Sequence, residues 1–225
     1  KESYEYYLRH FVNDLWHSAF HDKEKTIQET KKEKSNKEFR NEIRETFLDE
    51  YNQAMKLKIP LDYDFKKEGK IAEPTLMQRY FALMVQLRPY YANFSGTGAG
   101  KTIAALLASR INKSKMNLIV CPNGFVDQWK EVIKKVFPKS KTFIKKDVFS
   151  VIRDNNEFQY LIINYEQFQQ QKEKIENNIL KLASQKIDFV NLDEIHFSKT
   201  TSLREESKRR IWIDKLLSLI RERNP

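Results

Sequence analysis

Ser95-Gly96-Thr97-Gly98-Ala99-Gly100-Lys101-Thr102 stands between an apolar run, Tyr90 to Phe94, and a run of helical periodicity, Ile103 to Ile111. The first run reads as a short strand and the second as a helix, so the eight residues form a strand-to-helix turn. Three of the chain's 5 glycines fall in it. Gly96, Gly98 and Gly100 let backbone N–H groups turn inward with no Cβ to obstruct a ligand. The helix opening near Lys101 offers uncapped N–H groups and the positive end of its dipole. In that geometry Lys101 reaches β- and γ-phosphates, and the Thr102 hydroxyl is placed to ligate Mg²⁺. The stretch is a phosphate-binding loop.

Downstream of it, strands alternate with helices. Asn117 to Cys121 is a continuous apolar strand closed by Pro122. Phe125, Val126, Trp129, Val132, Ile133, Val136 and Phe137 then fall on one helical face, which makes Trp129 a core residue. Thr142 to Ile144 and Tyr160 to Ile163 are two further strands, Glu166 to Ser184 a long polar helix, and Asp188 to Leu192 another strand. This alternation predicts an α/β fold, a parallel sheet with helices on both faces, whose site lies at the carboxyl ends of the strands.

Upstream, a helix carrying Leu76, Tyr80, Met84 and Leu87 precedes Pro89. Pro60, Gly69 and Pro74 punctuate a charged stretch, so Asp62 to Gly69 reads as a linker. Before it, Tyr4, Tyr7, Leu8, Phe11, Leu15 and Phe20 mark one amphipathic helix, and Phe39, Ile43, Phe47, Leu48 and Tyr51 a second. Asp22 to Lys37 between them is polar. The expected division is residues 1–70, a helical accessory region and linker able to dock a protein partner, and residues 71–225, the nucleotide-binding domain.

The net charge of +10 is uneven: residues 1–70 carry 15 basic and 15 acidic side chains, so the later residues carry all of the excess. A positive balance favours polyanionic partners through counterion release. A single cysteine, Cys121, excludes an internal disulfide and fits a reducing cytoplasm. The longest apolar runs are strand-length, far short of the ~20 residues of a membrane span. The chain starts at Lys1 without a methionine, as a fragment or processed chain would.

Asp193-Glu194-Ile195-His196 closes the last apolar strand. Neighbouring strand residues point to opposite sides, so the two carboxylates divide the work. Asp193 is assigned to Mg²⁺ through water and Glu194 to polarising the attacking water. An acidic pair after a strand is common; about ninety residues beyond a phosphate loop, it completes a nucleotide-hydrolysis site.

SGTGAGKT and DEIH resemble motifs I and II of the DEAH/DExH-type superfamily 2 helicase-like ATPases, and Ser95, in place of the glycine of GxxxxGK[ST], resembles that group more than small GTPases. Leu118-Ile119-Val120-Cys121-Pro122 with Gln128-Trp129 is similar to motif Ia of Swi/Snf-type translocases. Ile162-Ile163-Asn164-Tyr165-Glu166 is similar to their next nucleic-acid motif, and His196-Phe197-Ser198-Lys199 to their H-x-x-K continuation. The matches run in order from residue 74 to about 200; residues 1–70 resemble nothing comparable.

The resemblance implies the first RecA-like lobe of an ATP- and Mg²⁺-dependent motor. It makes Gln78 the adenine reader, with a carboxamide that both donates and accepts. Ser95, Gly96, Thr97, Gly98, Ala99, Gly100, Lys101 and Thr102 become the nucleotide loop, Lys101 and Glu194 the catalytic pair, Thr102 and Asp193 the metal ligands. His196 couples nucleotide state to a later motif, and Pro122, Asn123, Gln128, Asn164 and Tyr165 line the nucleic-acid path. The partners implied are duplex DNA and a second RecA-like lobe outside this chain. A DExH RNA helicase and a nucleotide-gated interaction module without motor activity stay open as alternatives. No motif III strand or arginine finger matches, so slow hydrolysis is expected of this stretch alone.

Overall fold

The computed structural model describes residues 36–88, 90–96, 98–198 and 207–223. The helix expected around Tyr4 to Phe20 and nearly all of the polar stretch after it lie outside these residues. The chain divides into two compact units, Lys1–Glu50 and Tyr51–Pro225. Helix α1 (Asn36–Lys56) has Glu38 in its first turn and Lys56 in its last, as its dipole favours. Its Ile43, Phe47, Leu48 and Tyr51 are half-buried on the stripe read from the sequence.

The second unit is an α/β domain built on four parallel strands in the order β4-β5-β3-β6. In chain order its elements are the hairpin strands β1 (Lys66–Lys67) and β2 (Lys70–Ile71), then α2 (Leu76–Leu87), α3 (Lys101–Ile111), β3 (Met116–Cys121) and α4 (Val126–Val136). They continue with β4 (Lys141–Ile144), β5 (Gln159–Asn164), α5 (Lys172–Ser184), β6 (Phe189–Leu192) and α6 (Lys208–Arg223). All six residues of β3 are buried, and their alternation decides the layers. Ile119 and Cys121, with Tyr160 and Ile162 of β5, pack against α2, α3 and α4. Met116, Leu118 and Val120, with Leu161 and Ile163, pack against α5 and α6. Strict period-two alternation between two apolar layers is what a parallel sheet covered on both faces requires.

Three expectations are corrected. Tyr90 to Phe94 is not a strand: Tyr90 and Phe94 are exposed, Tyr90 lies under the Arg221 guanidinium at 4.6 Å, and Tyr91 packs against Phe81 at 5.7 Å. Aromatic contacts, rather than ladder hydrogen bonds, hold that segment. Asp62 to Gly69 is not a free linker. Tyr63 packs edge-on against Phe137, Asp64 N–H donates to Val136 O at 2.8 Å, and Glu68 and Gly69, both at positive φ, turn the β1-β2 hairpin. The helix expected from Glu166 begins only at Lys172, after a 3₁₀ turn at Tyr165–Gln169. Helix α6 was not anticipated, although Ile213, Leu216 and Ile220 are its buried stripe.

Arg110 anchors the hairpin segment to the sheet. It is buried, ion-paired with Asp62, and stacked on Phe158 at 3.3 Å and Phe137 at 4.4 Å. Burial lowers its pKa to about 10. Removing the partner of a buried charge leaves that charge uncompensated. Asp62→Ala is therefore expected to cost about 3 kcal/mol, read as a lower urea midpoint with an unchanged slope.

Candidate nucleotide site

Four loops meet at the carboxyl edge of the sheet. The phosphate loop opens α3 with Gly100 as its N-terminal cap, at φ 77° and with no side chain to bond the helix. The first N–H groups of α3 therefore remain available to an anion. Glycine suits position 100: a Cβ there would press on the Gln78 carboxamide, and the left-handed φ strains an L side chain. Asn93 starts the loop, its Oδ1 accepting from Ser95 N–H at 3.1 Å and Ser95 Oγ–H at 2.5 Å. The Lys101 ammonium lies 3.1 Å from Ser95 O and 3.3 Å from Gly96 O, held across the mouth of the loop. Thr102 follows in the first turn of α3, and Thr97 lies outside the described residues.

Gln78 is buried at the start of α2, where it completes a capping box with Thr75. Its Oε1 accepts from Thr75 N–H at 2.9 Å and its Nε2 donates to Gly100 O at 3.4 Å. The glutamine thereby ties the start of α2 to the phosphate loop, with both ends of its carboxamide engaged.

Asp193 is the junction of the site. Its N–H continues the ladder to Val120 O at 2.8 Å, and its Oδ2 accepts from Trp129 Nε1–H at 2.8 Å. The hydroxyl of Tyr165 donates to its carbonyl at 2.9 Å. Burial pushes the Asp193 carboxyl above the usual carboxylate range and the Glu194 charge adds to this; the Trp129 hydrogen bond and the Lys101 charge oppose it. The Lys101 charge is therefore felt at Asp193, so the phosphate loop and the acidic strand end lie near each other. With one carboxylate oxygen tethered by Trp129, Asp193 and the Thr102 hydroxyl are the groups that could hold a magnesium ion beside the loop.

Glu194 leaves the strand by a turn with φ 52°. That left-handed backbone, rather than strand alternation, separates its carboxylate from that of Asp193. Its Oε2 sits 3.2 Å from His196 Nδ1, both side chains well exposed. His196 tilts against Phe197 at 4.6 Å, and Phe197 stacks on Tyr165 at 6.4 Å. Arg209 from α6 clasps this turn, donating to Phe197 O at 3.0 Å and Gln169 Oε1 at 2.9 Å.

Of the residues expected on a nucleic-acid path, Asn123 and Gln128 are exposed and Asn164 half-exposed, while Pro122 and Tyr165 are buried. Asn164 Nδ2 donates to Asn123 Oδ1 at 2.7 Å, joining the turns after β5 and β3. Tyr165 offers no surface to a ligand; it braces Asp193 instead. Sequence reasoning put Trp129 in the core and missed its polar edge, and it gave no role to Asn93 or Arg209. A buried tryptophan needs a partner for its N–H; that was the one available hint for Trp129.

A parallel sheet with a glycine-rich loop and an acidic strand end at its carboxyl edge is the arrangement of a nucleoside-triphosphate-binding domain. The family of the type III restriction enzyme, res subunit, matches residues 88–218, and the chain belongs to it as a helicase-like ATPase domain. Among solved structures, the chain is similar to a SWI2/SNF2 ATPase core of Sulfolobus solfataricus in complex with dsDNA, at 15% identity and a TM-score of 0.38. The likeness covers 71% of this chain and 37% of that one. No curated protein matches. Among the described residues no helix is long and apolar enough to cross a membrane.

Outer hydrogen bonds to a metal-binding carboxylate typically contribute about 10- to 100-fold in metal affinity. Trp129→Phe is thus expected to weaken Mg²⁺-dependent binding of a fluorescent ATP analogue about 10-fold while Mg²⁺-independent binding stays near wild type. Titrations at fixed nucleotide and varied Mg²⁺ check it; equal Mg²⁺ dependence in the two proteins would remove Trp129 from the site.

Proposed function

We propose that the domain is the ATP-binding lobe of a motor that acts on duplex DNA, closing against a second RecA-like lobe outside this chain. The observation that carries the reading is the uncapped α3 start at Gly100 with Lys101 held across the loop, together with Asp193, bonded to the helix and turn that follow β3 and β5. In this reading the α3 N-terminus and Lys101 bind the phosphates of ATP, and Gln78 borders the loop where a base would lie. Thr102 and Asp193 hold Mg²⁺, which when bound neutralises charge developing on the β- and γ-phosphates. Glu194 orients the attacking water, and His196, 3.2 Å from it, couples the carboxylate to the turn beyond β6. Asn123, Gln128 and Asn164 face the DNA backbone. Duplex DNA is favoured over RNA by the Gln128-Trp129 and Asn164-Tyr165-Glu166 motifs. Residues 1–70 would serve as an accessory region for a protein partner, in the cytoplasm.

Phosphoryl transfer depends on charge stabilisation, and an arginine supplied from outside is worth ~10³–10⁵ in rate. The isolated chain should therefore bind ATP but turn it over very slowly. A charge-assisted hydrogen bond is worth about 1.5–3 kcal/mol, so Lys101→Ala is expected to weaken ATP binding about 10- to 100-fold. Glu194→Gln should leave binding intact and abolish the residual turnover. Rapid turnover by residues 1–225 alone would refute the division of labour. In the protein carrying both lobes, stimulation by single-stranded RNA and not by duplex DNA would refute the DNA assignment.

A further inference from the structure

We propose that a second stretch of nucleic-acid backbone binds in a lysine-lined groove between the turn after β4 and helix α5, beyond the motif residues just described. The groove is a cavity of about 590 Å³ at the carboxyl edge of the sheet. Lys145 and Lys146 form one wall. The other is a single face of α5, on which Lys174, Asn178 and Lys181 recur at helical spacing while Ile175, Ile179 and Leu182 point into the core. Asp127 is the one acidic residue that lines it.

The charge of this groove is not neutralised by the protein. Lys141, Arg153 and Lys215 elsewhere on the surface each pair with a carboxylate. Among the described residues, the four groove lysines are exposed and take part in no ion pair. Four like charges converging on one concavity raise the local concentration of a polyanion, and each phosphate contact releases condensed counterions. A strand also needs polar partners for its sugars and bases. Asn178, half-exposed on the same face of α5, is one. The Asn123–Asn164 hydrogen bond borders the groove, so a backbone crossing those two residues runs directly into it. The inference rests on the nucleic-acid reading given above and extends it to residues outside the motifs already named.

The test is fluorescence anisotropy on residues 1–225 with a labelled duplex DNA of random sequence, across a salt series, with single-stranded DNA and RNA as further arms. Each phosphate contact adds about 0.9 to the slope of log K against log salt for duplex DNA. The double variants Lys145→Ala/Lys146→Ala and Lys174→Ala/Lys181→Ala are each expected to lower that slope by about 2, with unchanged urea midpoints. Lys139→Ala, before the amino end of β4, should leave it unaltered. Wild-type binding with an unchanged slope in both double variants would overturn the groove and leave the motor reading standing. No binding of any nucleic acid by the wild type at low salt would overturn both. An equal fall in slope for Lys139→Ala, or preferential binding of polyglutamate, would also overturn the groove.

Discussion

A strand whose six side chains are all buried imposes a condition on everything around it. Each apolar side chain of β3 contributes about 1.5–3 kcal/mol by leaving water, but only if both faces of the sheet are covered. Helices must then lie on each side, and the connections between parallel strands must cross over through them. Strands joined in that way all end at the same edge. The turns after β3, β5 and β6 are brought there together, and the amino end of α3 arrives at the same place. The site is a consequence of burying β3.

At that edge, Asp193 concentrates the electrostatic tension. Its carboxyl is raised by burial and by Glu194, so the ionised form has to be held by other groups. Trp129 reaches it from α4, Tyr165 reaches its carbonyl from the turn after β5, and Lys101 acts on it from the phosphate loop. The same residue therefore joins the segments facing the proposed DNA path to those facing the proposed nucleotide. One buried indole and one buried phenol connect these segments. Such a link is rigid because both rings are packed: Trp129 is 3% exposed and Tyr165 0%.

The phosphate loop, the period-two strands and the one-faced helix at 126–136 were legible because each is written in neighbouring residues. Backbone freedom of glycine, alternation and helical spacing act over a few positions. The same local reading failed where a tertiary contact overruled it. Tyr90 to Phe94 has the composition of a strand, but Arg221 and Phe81 engage its rings. Asp62 to Gly69 has the composition of a linker, but buried Arg110 holds Asp62.

The sequence by itself determined that this chain makes a covered parallel sheet with a phosphate loop and an acidic strand end, since those features follow from side-chain size, charge and period. Tertiary structure alone decided that Trp129 tethers Asp193 across 64 residues, that Tyr165 turns inward to the same residue across 28, and that four unpaired lysines meet in one groove. Periodicity reports that a side chain is buried or exposed. It carries no information on which partner a buried N–H will meet, because strand order in the sheet sets that partner.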